Sequence, residues 1–125
     1  MILKAAILKL HELSIEKYGG LQGIRDEGLL DSAIARTFQT FEGVDLYFST
    51  IEKAAAIAQS IISNHPFIDG NKRTGFLAML ALLKVGNINL IASEESAYQF
   101  MISISTGEIK FDEIIEWLKK NTKAI

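Results

Sequence analysis

The chain has 125 residues, 49% of them apolar and 22% charged, which is the composition of one globular domain spanning residues 1–125 and argues against disorder or a second core. Lysine and arginine total 13 against 15 acidic residues, a net charge of -2, so no overall positive field exists to draw in nucleic acid or an anionic membrane. With no cysteine there is neither a disulfide framework nor a thiolate metal site, and the longest uninterrupted apolar run, Phe76 to Leu83, is too short to cross a bilayer. Lys4, Lys9, His11 and Glu12 also break the apolar start before a signal-peptide core can form, so a cytoplasmic protein is expected.

In chain order, Leu3, Ala6, Ile7 and Leu10 recur at helical spacing and predict a first core-facing helix. His11, alone on the predicted surface of that helix, carries no functional assignment. Tyr18 to Arg25 reads as a mobile turn, because Gly19, Gly20 and Gly23 permit backbone angles that other residues avoid; it is either a plain connector or a flap. Leu30, Ala33, Ile34 and Phe38 predict a second helix with Asp26 as its cap. A third opens on Ser49 and Glu52, the spacing of a capping box, and continues through Ile51, Ala54, Ala55, Ala58, Ile61 and Ile62. It should end at His65, because Pro66, the only proline, has no amide proton and forces the preceding residue out of the helical region. Thr74 to about Gly86 is apolar nearly all round and predicts a helix buried on most faces, ended by Gly86. Ser93 to Ser105 and Phe111 to Lys120 predict two more helices, the last with Phe111, Ile114, Ile115 and Leu118 on one stripe, and Ile88 to Ile91 a short extended piece. The expected fold is therefore all-α, a compact bundle of about six helices.

Between the third and fourth helices lies His65-Pro66-Phe67-Ile68-Asp69-Gly70-Asn71-Lys72-Arg73-Thr74, a polar loop held by two buried helices. Gly70, Asn71, Lys72 and Arg73 run into a helix start, whose unpaired amides and positive dipole end attract an anion; Gly70 lets the backbone come close and the two cations add full charge. That concentration of donors suits a di- or triphosphate. Asp69 beside the cradle is the natural ligand for a Mg²⁺ ion that keeps its waters and bridges phosphate oxygens. His65, with an unperturbed pKa near neutrality, can act as general base toward a hydroxyl nucleophile. The residues together point to phosphoryl or nucleotidyl transfer, with a structural polar plug and an anion-binding surface without turnover as the alternatives. Phe67 and Ile68 read as apolar anchors of the loop.

The stretch HPFIDGNKRT resembles the active-site motif of the Fic/Doc superfamily, HxFx(D/E)GNxR, and more closely its Doc, or death-on-curing, branch: His65, Phe67, Asp69, Gly70, Asn71 and Arg73 fall at the expected spacing. Tyr18-Gly19-Gly20, the turn Gly23-Ile24-Arg25-Asp26 and Ser105-Thr106-Gly107-Glu108-Ile109 extend the resemblance. AMP-transferring Fic enzymes typically carry Gly at the position of Lys72 and a second Arg at that of Phe76; both are missing here, and Lys at the first position is what Doc toxins have. The resemblance implies an ATP- and Mg²⁺-dependent transferase that binds ATP in reversed orientation and passes its γ-phosphate to a threonine of translation elongation factor EF-Tu. It assigns the acceptor hydroxyl to His65, the Mg²⁺ ion to Asp69 and the phosphates to Gly70, Asn71, Lys72 and Arg73. The self-inhibitory motif (S/T)xxxE(G/N) of many Fic proteins is absent, since Glu27-Gly28 and Glu42-Gly43 lack the required Ser or Thr. Restraint is then expected from an antitoxin whose helix lies in a groove of the toxin. The rival readings are transfer of AMP or another nucleotide, and a non-catalytic partner-binding module on the same fold. Metal-dependent hydrolysis is disfavoured, because only two histidines exist and no second ligand cluster accompanies Asp69.

Overall fold

The computed structural model describes residues 2–125 and, for side chains, residues 3–125. Along the described chain run α1 (Ile2–Tyr18), α2 (Glu27–Thr37), β1 (Thr40–Phe41), β2 (Val44–Asp45), α3 (Thr50–Asn64), α4 (Asn71–Val85), β3 (Ile88–Leu90), α5 (Glu94–Ser105), α6 (Phe111–Lys120) and β4 (Thr122–Ala124). The fold is all-α, as its sequence pattern predicts, with strands of two or three residues only.

The centre of the bundle is α3. Ala54, Ala55, Ala56, Ile57 and Ala58 are all fully buried, followed by Ile61 and Ile62. Methyl-sized side chains on every face let α2, α4, α5 and α6 pack around one rod. At Gly75 α4 lies close against α3: an added Cβ would lie 2.6 Å from Ile62 Cγ1 and 3.3 Å from the Ala58 carbonyl oxygen. The capping box is present: Glu52 N donates to Ser49 Oγ at 3.1 Å and Ser49 N donates to Glu52 Oε1 at 3.2 Å. Asp26 caps α2 by accepting from Leu29 N at 3.1 Å. Lys4 ties α1 to α2 through Asp31, at 2.6 Å, and Glu27, at 2.9 Å, and the Asp31 bond first, then the Glu27 bond, raise its ammonium pKa above the ordinary value.

Several elements differ from the sequence pattern. The fourth helix starts at Asn71 rather than Thr74, which makes Asn71, Lys72 and Arg73 its first turn. It is less enclosed than α3: Thr74, Gly75, Ala78, Met79 and Leu83 are buried, while Phe76 and Leu80 are half-buried. Gly86 does end it, but with φ -85, and the left-handed residue is Asn87 at φ +59. Glycine is needed at 86 for room, since a Cβ there would meet Thr50 Oγ1 at 2.5 Å. Ala6 faces solvent, and Phe38 stands just beyond α2 rather than on its buried stripe. The extended piece at 88–90 has an antiparallel partner in β4, with Ile88 opposite Ala124 and Leu90 opposite Thr122. A hairpin between β1 and β2 turns on Glu42 and Gly43, both at positive φ, the geometry of a two-residue mirror-image turn.

Candidate active site

The loop between α3 and α4 is fixed from three sides. His65 caps α3 in the left-handed region, φ +54 and ψ +59, a conformation costing a non-glycine residue roughly 1 kcal/mol or more. Arg25 satisfies the helix end, its Nε donating to the His65 carbonyl oxygen at 2.6 Å and its Nη2 to that of Asn64 at 2.7 Å. The Pro66 carbonyl oxygen accepts from the amides of Arg25 and Asp26 at 2.8 and 2.9 Å, and Ile24 bridges Phe67 as an antiparallel pair. The glycine-rich segment after α1 is thus laid along the motif loop rather than looping free. Asn71 reaches back from α4 to clamp Phe67, donating from Nδ2 to its carbonyl oxygen and accepting from its amide, both at 2.9 Å. Phe67, 1% exposed, anchors the loop in the core.

Asp69 points the other way, with its residue exposed and its carboxylate oriented by backbone amides. Oδ1 accepts from Gly70 N at 2.8 Å and Oδ2 from Leu21 N at 3.1 Å. Gly20 must be glycine for this approach, because at φ +117 its Cβ would lie 2.7 Å from Asp69 Oδ2. The carbonyl oxygen of Asp69 sits 2.8 Å from His11 Nε2. This corrects the reading of His11 as a surface residue: it is 3% exposed and faces the motif loop. The stripe Ile7, His11, Ile15 at spacing four carries the signal that it points inward.

Gly70, at φ +75, opens α4 without a side-chain cap, and no acidic residue lies in the first turn. The first intrahelical bond runs from Thr74 N to the Gly70 carbonyl oxygen at 2.9 Å, so the amides of Asn71, Lys72 and Arg73 precede it and have no acceptor within the helix. Lys72 is exposed. Arg73 donates from Nη1 to Ser14 Oγ at 3.2 Å and lies over the Tyr18 ring at 4.8 Å, two partners on α1 that sequence reasoning did not anticipate. A pocket of about 280 Å³ is lined by Asp69, Gly70, Asn71, Lys72 and Arg73 on one side and by Tyr98, Met101 and Ile102 of α5 on the other. The five residues from Asp69 to Arg73 are therefore brought together around one cavity, while His65 stands outside its lining at the exposed end of α3. Among the described residues no group of three or more His, Asp or Glu side chains gathers as a metal cage.

An uncapped helix start, Lys72, Arg73 and the exposed residue Asp69 thus border one pocket. The sequence profile of the Fic/DOC family matches residues 2–83, a span that contains the motif loop and the α4 start but not the α5 wall of the pocket. The chain belongs to the Fic/Doc family. Within it the similarity is to the Doc branch: the chain is 39% identical over 99 residues to a Mycolicibacterium smegmatis protein named Toxin Doc, covering 78% of this chain and 76% of the relative. It is 28% identical over 114 residues to the protein named Protein kinase doc of Escherichia phage P1, covering 91% and 89%.

Proposed function

We propose that this Doc-branch protein is a toxin that transfers the γ-phosphate of ATP to a protein hydroxyl, a threonine of translation elongation factor EF-Tu, and so halts translation. The observation that carries the reading is the α4 start, where unpaired amides, Lys72 and Arg73 line the pocket that Asp69 borders, the Arg73 guanidinium being braced from α1 by Ser14 and Tyr18. The donor set fits a magnesium nucleotide: one carboxylate oriented from outside suits a hydrated hard cation that takes its remaining ligands from water and phosphate oxygens. Asp69 would hold Mg²⁺, which would supply charge neutralisation for the phosphates, and Gly70 to Arg73 would hold the triphosphate. Phosphoryl transfer needs positioning and charge stabilisation more than covalent catalysis, which is what fixed amides and two cations supply. His65, exposed at the mouth of the loop, accepts the proton of the acceptor hydroxyl. Lys72 in place of the glycine used by AMP-transferring relatives favours phosphate over nucleotide as the group moved.

An antitoxin is the expected partner, and an apolar groove of about 470 Å³ lined by Phe76 and Leu80 of α4, Ile88 and Leu90 of β3, and Ala97 and Met101 of α5 fits the apolar face of a helix. Neither nucleic acid nor membrane is invoked: the net charge is -2 and no described helix is long and apolar enough to span a bilayer.

The test is intact-protein mass spectrometry of a translation extract incubated with the protein, Mg²⁺ and ATP labelled at either the α- or γ-phosphate. The expected result is a phosphate-sized gain on EF-Tu carrying only γ-label, reduced about 10²- to 10⁴-fold by His65→Ala. A nucleotide-sized gain carrying α-label would replace kinase chemistry by nucleotidyl transfer, and toxicity that survives His65→Ala would replace both by partner binding alone.

A further inference from the structure

The buried imidazole of His11 has no part in the chemistry above, yet it enters the motif loop from α1. Its ring stacks on that of Phe67, centroids 3.9 Å apart and planes within 7° of parallel. Its Nε2 lies 2.8 Å from the Asp69 carbonyl oxygen. A carbonyl oxygen only accepts, so Nε2 must carry the hydrogen.

We propose that His11 is a positioning residue that aims the Asp69 carboxylate through the peptide joining Asp69 to Gly70. That peptide is trans and planar, so its N–H and C=O point to opposite sides. Drawing the carbonyl toward α1 turns the Gly70 N–H away from it, and this N–H is the donor to Asp69 Oδ1 at 2.8 Å. Oδ2 is held independently by Leu21 N. Two amides fix the carboxylate, and His11 sets the direction of one. The neighbourhood is close-packed: a Cβ at Gly70 would sit 2.9 Å from Ile15 Cδ1, while the His11 ring lies at ordinary contact distance, 3.8 Å. Filling space beneath Phe67 would need no nitrogen, since a phenylalanine stacks equally well. The donor is what distinguishes histidine, and its acceptor belongs to the residue whose carboxylate faces the pocket. Groups that orient a metal ligand in this way change metal affinity by about 10- to 100-fold when removed.

The proposal rests on the reading of Asp69 as a cation ligand, and its test separates the two. Amide NMR spectra of the full chain without ligand are compared for the wild type, His11→Phe, which keeps a stacking ring, and His11→Gln, which keeps a donor. Each is then titrated with Mn²⁺ alone. In His11→Phe the Gly70 amide resonance should move upfield as its bond to the carboxylate weakens, more than that of the independently bonded Leu21, and the Mn²⁺ concentration that half-broadens the amides of residues 69–71 should rise about tenfold. His11→Gln should stay near the wild type in both. An unchanged Gly70 resonance and unchanged Mn²⁺ broadening in His11→Phe would overturn the proposal and leave His11 as filler. Should phenylalanine prevent folding, His11→Met, flexible and donor-free, enters the same comparison with the same two outcomes. If Mn²⁺ fails to broaden residues 69–71 of the wild type, the cation reading of Asp69 falls, while the ligand-free amide shifts still decide whether His11 orients the peptide.

Discussion

The two ends of α3 are built on opposite plans. At its C-terminal end the loop from His65 to Gly70 is held by Arg25, His11, Asn71 and the Gly20–Asp26 backbone, so that three separate segments determine its path. At its N-terminal end the segment from Phe38 to Phe48 forms a hairpin closed on itself, with Phe41, Val44, Leu46 and Phe48 each more than half exposed. Tyr47 and Lys53 attach it to the bundle, through Arg36 and Asp45 respectively. The firmly held end is pinned mainly by polar contacts, whereas the hairpin leaves its apolar side chains in solvent, the reverse of what composition alone would lead one to expect. The difference teaches that a fixed loop on this scaffold is made by donors placed at a distance in sequence, since a six-residue turn has too few apolar atoms to hold itself.

The sharpest break in that contrast comes from Asn71. Replacing it by Ala leaves both the amide and the carbonyl of the buried Phe67 without their partner, and with about 1–3 kcal/mol for each unsatisfied group the expected loss is about 2 kcal/mol once water recovers part of it. Urea denaturation should show this as a lower midpoint at unchanged slope. Activity should fall further than stability, because the clamp also sets where α4 begins.

A smaller effect, again on the rigid side, is expected from Gly20→Ala. At φ +117 the methyl group both occupies a strained conformation and meets Asp69 Oδ2 at 2.7 Å, so the Leu21 amide must withdraw from the carboxylate. The expected cost is about 1–2 kcal/mol by thermal melting, in the range for left-handed strain at a non-glycine residue. The Leu21 amide should exchange faster with solvent, which a purely local strain would not cause.

Thr74, a side chain of that end, is fully buried and its Oγ1 has no hydrogen-bond partner among the described residues. Thr74→Val removes the hydroxyl and keeps the shape, so it should stabilise the chain by about 1 kcal/mol or leave it unchanged, measured by the same urea titration. A loss of more than about 1 kcal/mol would mean that the hydroxyl has a partner, such as an ordered water.

Much of this end was legible in the sequence and some was not, for separable reasons. His65, Asp69, Gly70, Lys72 and Arg73 are local, and Pro66 fixes where α3 must stop, so the loop and its run into a helix start could be read from adjacent residues. The partners of that loop lie far away in sequence: His11 is 58 residues from Asp69 and Arg25 is 40 from His65. No local pattern links them. His11 was accessible through its stripe with Ile7 and Ile15, but a histidine on an apolar face looks alike whether it braces a loop or merely fills space. Asn71 reads as one more donor until its side chain is seen closed on Phe67. The strands β1, β2 and β4 were hidden because pairs and triplets of residues are too short to display alternation.

The smallest effect should come from the hairpin, and it tests the other half of the comparison. Phe48 is 79% exposed and Phe41 67%, so neither buries enough surface to stabilise the fold, and replacing either by Ser should change the unfolding free energy by no more than about 0.5 kcal/mol. The hairpin's geometry comes instead from Glu42 and Gly43 at positive φ and from its two cross-strand pairs, none of which needs an aromatic ring. If Phe48→Ser lowered stability as much as Asn71→Ala, the hairpin would be packed in solution against something that its exposed face does not meet within one chain. Sedimentation of the wild type and the variant would then separate self-association from a rearranged monomer, and the view of the two ends as rigid and loose would fail at its loose end.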